Sequence, residues 1–306
     1  MSPFDPLATT ALKTRIPRWA LRTADLSFRM MAATTAGDRK GPDFLIVGTK
    51  RGGTTSMFNY LIQHPGLLGT YPRPRAKKST QFFFADRSHS SRWYRSNFHS
   101  ETYRRTMRRR LGYRPLGFEA SPYYIWDPRI ALQAHLFCSD LKAIVLLRDP
   151  TRRAWSHYQE RVQNGVEPLT FAQGLDVEDD RLGGEIERMM SDPGYHSTAH
   201  DWYSYRSRGE YLAQIQNWHS VFPRQQLLVL RSEDLYTRTQ EIMDEVCTFL
   251  NIPAFVLPAK TPFNATWRTK DDVPDAEADL LRSHFCPHNE ALEDYLGRSM
   301  GWPPAS

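Results

Sequence analysis

The sequence contains few cysteines and no long apolar run. Only three of its 306 residues are cysteine, at positions 138, 247 and 286, and none forms a C-x-x-C pair. This sparse, odd set argues against a disulfide framework and a structural zinc site, and it favours a reducing compartment. No stretch of about eighteen apolar residues occurs, so no bilayer-spanning helix is expected. Residues 1–40 lack the apolar core of a secretory signal, which predicts a cytoplasmic location.

Basic residues only slightly outnumber acidic residues in this sequence. Lys and Arg number 40 against 34 acidic residues, while 40% of the chain is hydrophobic and 24% is charged. These proportions are typical of a globular protein, and the length suffices for a sizeable core. The mild basic excess favours anionic ligands or surfaces without naming one.

Residues 43–61, DFLIVGTKRGGTTSMFNYL, have the pattern of a strand, an anion-binding loop and a helix. The glycines would let backbone N–H groups crowd round a phosphate, and the following helix would add its unpaired N-terminal donors. A lysine supplies a full charge, and two threonine hydroxyls can donate to the same oxygens. The residues expected to hold the anion are Lys50, Arg51, Gly52, Gly53, Thr54 and Thr55.

This loop lacks the lysine of a Walker A motif. When the motif is counted from Gly48, its second glycine falls on Gly53, but its lysine position holds Thr54. The basic residue is Lys50, three positions before Gly53. It would therefore meet the group attached to a phosphate rather than wrap round a triphosphate, which makes a purine triphosphate the less favoured ligand.

A second anion site is predicted in residues 141–158, LKAIVLLRDPTRRAWSHY. The apolar run at 143–147 is typical of a parallel strand covered on both faces, and it ends at Arg148 before a helix that carries Ser156. Ligands of open α/β sheets bind at the carboxyl ends of strands. A guanidinium fork and a hydroxyl placed there could clamp a separate phosphate. The alternative for Arg148 is a salt bridge with Asp149 or another neighbour.

The remaining patterns complete a single α/β domain over residues 42–306. Strand patterns cover residues 67–71, 115–121 and 226–230, and helical patterns cover residues 90–112, 206–222, 232–250 and 275–295. We expect one P-loop-like domain with a central parallel sheet flanked by helices and without internal repeats. Residues 164–200 are polar and are predicted to form a variable excursion over the site rather than part of the core.

Residues 1–41 are expected to form an N-terminal basic amphipathic arm. Apolar and arginine residues alternate over 11–31 in a helical pattern. Such a helix could lie on the inner face of an anionic membrane, pack on a partner chain or fold back on its own protein.

An arginine run in 104–110 is expected to be a solvated helix face, because no nucleic-acid-binding module surrounds it. The oligomeric state is not predicted.

Together these motifs resemble the PAPS-dependent sulfotransferases of the carbohydrate and heparan-sulfate type and their bacterial relatives; PAPS is 3′-phosphoadenosine 5′-phosphosulfate. VGTKRGGTTS resembles that family's 5′-phosphosulfate loop, and LLRDPTRRAWSHY resembles its 3′-phosphate element. In that element an arginine and a serine make the contact, which correspond to Arg148 and Ser156. GFEASPYY and PHNEALEDYLGRSMGW extend the similarity, so that it spans residues 43–302.

The resemblance implies a sulfotransferase that moves a sulfuryl group from PAPS to a hydroxyl or amine by in-line transfer. The acceptor would be a carbohydrate or glycolipid, and no metal would be required. Negative charge builds on the leaving nucleotide as the S–O bond breaks, and Lys50 would stabilise it. Arg268 and Lys270 are expected in a loop over the 3′-phosphate or the adenine.

The sequence departs from that family on the acceptor side. Heparan-type members carry a lysine-glutamate pair before two phenylalanines, and the glutamate is their usual base, whereas here Lys78 is followed by Ser79. Glu119 is the first candidate for a substitute base, followed by His157 and Asp86. Two alternatives remain open, a P-loop small-molecule kinase and a nucleotide-binding protein with weak or no transferase activity.

Overall fold

Five short apolar segments pair into one parallel sheet in the computed structural model of the chain. They are β1 (Phe44–Gly48), β2 (Leu67–Leu68), β3 (Leu116–Ala120), β4 (Lys142–Leu147) and β5 (Leu227–Arg231), in the order β2-β3-β1-β4-β5. The structure describes residues 34–71, 77–84, 89–258 and 272–304, together with residues 23, 27 and 32. The predicted fold class is confirmed.

The strand order places a crevice beside β1. From β1 the chain runs to the edge strand β2, returns to β3 beside β1, and then crosses to β4 and β5 on the other side of β1. Such a reversal separates the loops that follow neighbouring strands and opens a binding site at their carboxyl ends. Phe44 of β1 pairs with Phe118 of β3 on one side and with Lys142 of β4 on the other.

The sheet is covered on both faces, which explains why its strands are almost continuously apolar. Leu45 and Val47 point into a core cluster on one face, whereas Phe44 and Ile46 point into a cluster on the other. All four side chains are fully buried. The central strand is therefore fixed from both sides, and the loop after it begins from a rigid position.

Helices connect the strands and flank the sheet. Those before β4 are α1 (Thr54–Leu61), α2 (Ser91–Ser96), α3 (Glu101–Leu111) and α4 (Ile130–Phe137). Those between β4 and β5 are α5 (Pro150–Gln163), α6 (Phe171–Asp176), α7 (Glu178–Leu182), α8 (Glu185–Ser191), α9 (Thr198–Trp202) and α10 (Tyr211–His219). The last are α11 (Ser232–Thr237), α12 (Thr239–Leu250) and α13 (Asp275–Leu296). None of the helices in the described ranges is long and apolar enough to cross a bilayer.

Several predicted segments differ from the structure in detail. The helix predicted at 232–250 is two helices, α11 and α12. The strand predicted at 67–71 is only two residues long. The helix predicted at 90–112 is two helices, because the Ser90 and Ser100 hydroxyls each accept a backbone N–H and start a separate helix. The terminal region is one continuous helix, α13, that contains Pro287.

The excursion predicted at 164–200 is helical, and part of it belongs to the core. Phe171 and Leu175 pack with Leu281 and Phe285 of α13 in a third apolar cluster. Glu178, from the acidic patch, is fully buried and accepts hydrogen bonds from residues 206 and 207. The prediction that this region lies outside the core is therefore wrong for these residues. Most of residues 1–33 lie outside the described residues, so the arm and its boundary at residue 41 stay predictions.

Candidate functional site

A cleft of about 860 Å³ opens at the carboxyl ends of β1 and β4. It lies between the loop after β1, the loops after β2 and β3, and helix α5 after β4. Most of the residues predicted to bind anions line it: Lys50, Arg51, Gly53, Thr54, Thr55, Arg148 and Ser156. The structure thus brings the two predicted anion motifs into a single cleft.

The loop after β1 lies tightly against β4. A Cβ on Gly52 would stand 2.6 Å from the carbonyl oxygen of Leu146, so only glycine fits there without a shift. The Ser232 hydroxyl donates a hydrogen bond of 2.8 Å to the Gly52 carbonyl. Gly53 precedes α1 with a φ of 88°, a conformation that favours glycine. Gly52 therefore shapes the loop from behind, while Gly53 faces the cleft.

Two hydrogen bonds join the loop to the second motif. Arg148 Nη1 donates to the Arg51 carbonyl at 3.1 Å, and Arg51 Nε donates to Ser156 Oγ at 3.0 Å. Arg148 stands at the end of β4, and Ser156 lies in α5, so both belong to one strand-helix unit. The Arg51 side chain spans the gap between the motifs. The salt bridge with Asp149 that sequence reasoning left open for Arg148 is absent from the ion pairs of the described residues.

Lys50 lies deep in the cleft between two carboxylates. Its Nζ atom is 3.6 Å from Asp201 Oδ1 and 3.8 Å from Glu160 Oε2, and its side chain is 14% exposed. Burial lowers the pKa of Lys50 to about 8, and the Arg208 charge acts in the same direction. The two carboxylates oppose this shift only in part. This ammonium therefore changes charge far more readily than an exposed lysine.

Lys78 supplies a second ammonium to the cleft. Its Nζ atom donates hydrogen bonds of 2.9 Å to both the Thr54 and the Thr55 hydroxyls. Burial lowers the pKa of Lys78 to about 8, and Glu160 partly opposes this shift. The lysines and the threonine hydroxyls consequently surround the first turn of α1, where its free N–H groups favour an anion.

Ser79, at the position of the missing glutamate, lines the same cleft. Its hydroxyl is hydrogen-bonded to that of Ser121, which follows β3. A serine hydroxyl is a poor proton acceptor at neutral pH, so another group has to supply the base.

Glu119 does not reach the cleft. It is fully buried in β3, where Oε1 accepts hydrogen bonds from Tyr94 at 2.7 Å and Tyr124 at 3.1 Å. Its other oxygen, Oε2, accepts the backbone N–H of Thr80 at 2.5 Å. Burial raises the pKa of Glu119, and the three donors oppose that shift. Glu119 therefore fixes the loop at Thr80 from within the core. The expectation that it acts as a base is corrected.

His157 is also buried and does not line the cleft. Burial and the nearby charges of Lys50 and Arg208 hold its pKa well below the usual value, so the ring is neutral. Neither ring nitrogen has a hydrogen-bond partner within the described part of the chain. His157 therefore packs behind Lys50, and the structure does not support it as a base. Asp86, Arg268 and Lys270 lie outside the described residues.

Sequence reasoning missed Glu160 and Asp201, the two carboxylates beside Lys50 in the cleft. Glu160 lies four residues after Ser156 on α5, so helical periodicity places both on one face and could have indicated it. Asp201 arrives on α9, at the end of the long excursion. No local sequence pattern predicts the course of the chain that brings Asp201 to Lys50.

A parallel sheet with loops after neighbouring strands that bring lysine, arginine and hydroxyl side chains into one cleft defines a P-loop-like class of α/β protein. The family model described as the sulfotransferase domain matches residues 41–264. The chain therefore belongs to the sulfotransferase domain family. The predicted membership of the sulfotransferase family is confirmed.

Several named proteins are similar to this chain. The membrane-associated sulfotransferase kil1 of Dictyostelium discoideum is 24% identical, over 85% of this chain and 66% of that protein. The human heparan sulfate glucosamine 3-O-sulfotransferase 5 is 23% identical, over 86% and 74%. The human bifunctional heparan sulfate N-deacetylase/N-sulfotransferase 3 is 27% identical, over 69% of this chain and 22% of that protein.

Among solved structures, a sulfotransferase from Alicyclobacillus acidocaldarius matches with a TM-score of 0.60 and 25% identity. The match covers 84% of this chain and 96% of that one. By contrast, the chain spans 66% of the length of kil1 and only 22% of the human bifunctional enzyme.

Proposed function

We propose that the protein transfers a sulfuryl group from 3′-phosphoadenosine 5′-phosphosulfate to a hydroxyl or amine of a carbohydrate-like acceptor. The observation that carries this proposal is the pair of hydrogen bonds from Arg148 to Arg51 and from Arg51 to Ser156. They join two anion motifs in one cleft, as a donor with phosphates at both ends of a nucleoside requires. Relatives named for heparan sulfate support a carbohydrate acceptor, which could also be a glycolipid.

The donor would lie along the floor of the cleft. The loop from Lys50 to Thr55 would bind the 5′-phosphosulfate with its N–H groups and hydroxyls. Arg148 and Ser156 would bind the 3′-phosphate, since a guanidinium and a hydroxyl offer several donors to one phosphate. Arg268 and Lys270 remain candidates for the loop over the nucleotide.

Transfer would require positioning and charge stabilisation rather than a covalent enzyme intermediate. The acceptor oxygen or nitrogen forms a bond to sulfur while the bond from sulfur to the bridging oxygen breaks. The electron pair stays on that oxygen, which leaves with adenosine 3′,5′-bisphosphate. Lys50, held near it by two carboxylates, would stabilise the developing charge.

Glu160 is the base that the geometry favours for the acceptor proton. It lines the cleft, and its Oε2 atom has no hydrogen-bond partner among the described residues. Asp201 is less suitable, because a single oxygen, Oδ1, lies 3.6 Å from Lys50 and 3.5 Å from the buried Arg208. At Glu160 the two cations are divided, since Lys50 lies near Oε2 and Arg161 near Oε1. We assign Glu160 to proton acceptance and Asp201 to the positioning of Lys50.

The proposal is tested by incubating the purified chain with PAPS labelled in its sulfuryl group and a panel of sugar, glycolipid and amine acceptors. We expect labelled product and an equal amount of adenosine 3′,5′-bisphosphate. ATP with magnesium should not compete with PAPS for the cleft, and its phosphate should not be transferred to any of the acceptors. Phosphate transfer from ATP would support the kinase alternative, and nucleotide binding without turnover on any acceptor would support a binding protein.

The location of the protein is a separate proposal. We place it in the cytoplasm, with the basic arm in peripheral contact with the inner face of a membrane. The name of kil1, a membrane-associated sulfotransferase, is consistent with such contact in that relative.

A further inference from the structure

A cluster of two histidines and a glutamate lies outside the cleft, between α10 and the terminal helix α13. One potential ligand atom from each of Glu210, His284 and His288 lies within 4.8 Å of the others. His284 Nε2 is 2.9 Å from Glu210 Oε1, and the two imidazole rings are 4.9 Å apart between centroids. The proposed transfer reaction uses none of these groups.

The backbone brings the three side chains together. His284 and His288 are one turn apart on α13, so they share a face. Glu210 precedes α10 and follows Gly209, where an added Cβ would lie 2.6 Å from the Phe285 ring. Because glycine permits this close approach, the segment before α10 lies directly on the turn of α13 that carries the histidines.

The cluster is connected to the core but open to solvent. Phe285 is 1% exposed, which fixes the helix turn beneath the cluster. The side chains of His284 and Glu210 are 29% and 35% exposed. An ion could therefore enter from solvent and still be held by side chains whose backbones are rigid.

We propose that Glu210, His284 and His288 bind a divalent transition-metal ion of the zinc type. Two imidazoles and one carboxylate form a donor set that zinc accepts, and a water molecule would complete its four-fold coordination. Ligand atoms at about 2.0–2.1 Å from zinc stand about 3.3 Å apart in a tetrahedron. The separation of 2.9 Å between His284 Nε2 and Glu210 Oε1 and the upper limit of 4.8 Å for the three ligand atoms lie on either side of this value. Rotation of the partly exposed side chains would bring the three atoms to it.

The ion would brace the end of the chain against the active-site frame. Gly209 also contacts Pro150, the first residue of α5, since a Cβ added to this glycine would lie 3.0 Å from Pro150 Cβ. Arg208, the residue before Gly209, donates a hydrogen bond to the backbone carbonyl of Asp201, whose side chain lines the cleft. Metal bound at Glu210 would thus tie α13 to the segment that supports the cleft wall.

The test is calorimetric titration of Zn²⁺ into the tag-free, chelator-treated full chain. We expect one ion per chain and a rise in Tm of about 5 °C at saturating zinc. Co²⁺ in place of zinc should give the visible absorption of a tetrahedral site. His284→Gln, His288→Gln and Glu210→Gln should each weaken binding by more than about tenfold. His89→Gln, at an exposed histidine outside the cluster, should change nothing.

Absence of zinc binding, or binding that the three cluster substitutions leave intact, would overturn the proposal. The cluster would then be only a hydrogen-bonded contact between His284 and Glu210 with His288 beside it. Since the readouts are metal stoichiometry, Tm and absorption, they do not depend on the outcome of the sulfuryl-transfer assay.

Discussion

Arg148 donates a hydrogen bond to the backbone carbonyl of Arg51, across 97 positions of the sequence. The partner is a backbone atom, so the contact fixes the guanidinium relative to the path of the first loop and not to a mobile side chain. Arg148 also lines the cleft. A nucleotide phosphate would therefore meet a guanidinium that is already oriented.

Replacement of Arg148 should weaken nucleotide binding. A hydrogen bond to a charged group contributes about 1.5–3 kcal/mol, so Arg148→Ala should raise the Kd of adenosine 3′,5′-bisphosphate about 10- to 100-fold. Isothermal titration calorimetry measures this change. Arg108→Ala, on the exposed face of α3, is the control and should bind as the wild type does. Equal affinity in both variants would contradict the assignment.

Replacement of Lys50 should affect turnover more than binding. Removal of one group that stabilises developing charge typically costs about 10²–10³-fold in kcat, and we expect this for Lys50→Ala. The folded state should survive, because the two carboxylates beside Lys50 keep their contacts with Arg161 and Arg208. Steady-state kinetics and Tm check both statements, with Lys40→Ala as the exposed control. Unchanged kcat would exclude Lys50 from catalysis.

The choice between Glu160 and Glu119 as base is tested by steady-state kinetics. Glu160→Gln should lower kcat about 10²–10⁴-fold, because an amide cannot accept the proton of the acceptor group. Glu119→Gln should lower kcat far less, because the Glu119 side chain does not line the cleft. If Glu119→Gln caused the larger loss and Glu160→Gln left kcat unchanged, the roles of the two residues would be reversed.

Glu119 should contribute to stability. A glutamine there has only one acceptor oxygen, whereas the carboxylate serves two tyrosine hydroxyls and the Thr80 N–H. One donor would be left unpaired in the core, so we expect Glu119→Gln to lower the free energy of unfolding by about 1–3 kcal/mol. Urea denaturation measures this free energy of unfolding. Glu293→Gln, near the end of α13, is the comparison at a less buried glutamate. No loss of stability would mean that the three hydrogen bonds contribute little.

Nucleotide binding should take up protons near pH 8. Lys50 and Lys78 both have a pKa of about 8 in the free protein, and a bound anion raises it. Between the free and bound values the complex holds more protons than the free chain, so affinity should fall as pH rises above about 8. Calorimetry in two buffers with different ionisation enthalpies measures the uptake, and Lys78→Met should reduce it. An affinity that is independent of pH from 7 to about 9.5 would contradict these shifts.

Local patterns predicted that the residues of the two anion motifs come together in one cleft. The loop at Lys50 and the pair Arg148 and Ser156 each follow an apolar strand, and parallel strands bring such loops to one edge of the sheet. The acceptor side depends on distant contacts. Glu119 in β3 has the same local sequence whether it faces a cleft or buried hydroxyls, and the decisive partner, Tyr94, lies 25 residues earlier. Asp201 reaches Lys50 only through the course of the excursion.

The Thr80 N–H donates a hydrogen bond to the Glu119 carboxylate of β3. The Lys78 carbonyl accepts a hydrogen bond of 2.7 Å from the backbone N–H of Ala120, in the same strand. The path of this loop is therefore set by main-chain atoms on both sides of Ser79. Evolution could exchange the side chain at that position without rebuilding the frame around it. Proton transfer can thus move from one element to another as such proteins diverge, and an aligned column need not mark the same chemical role in every descendant.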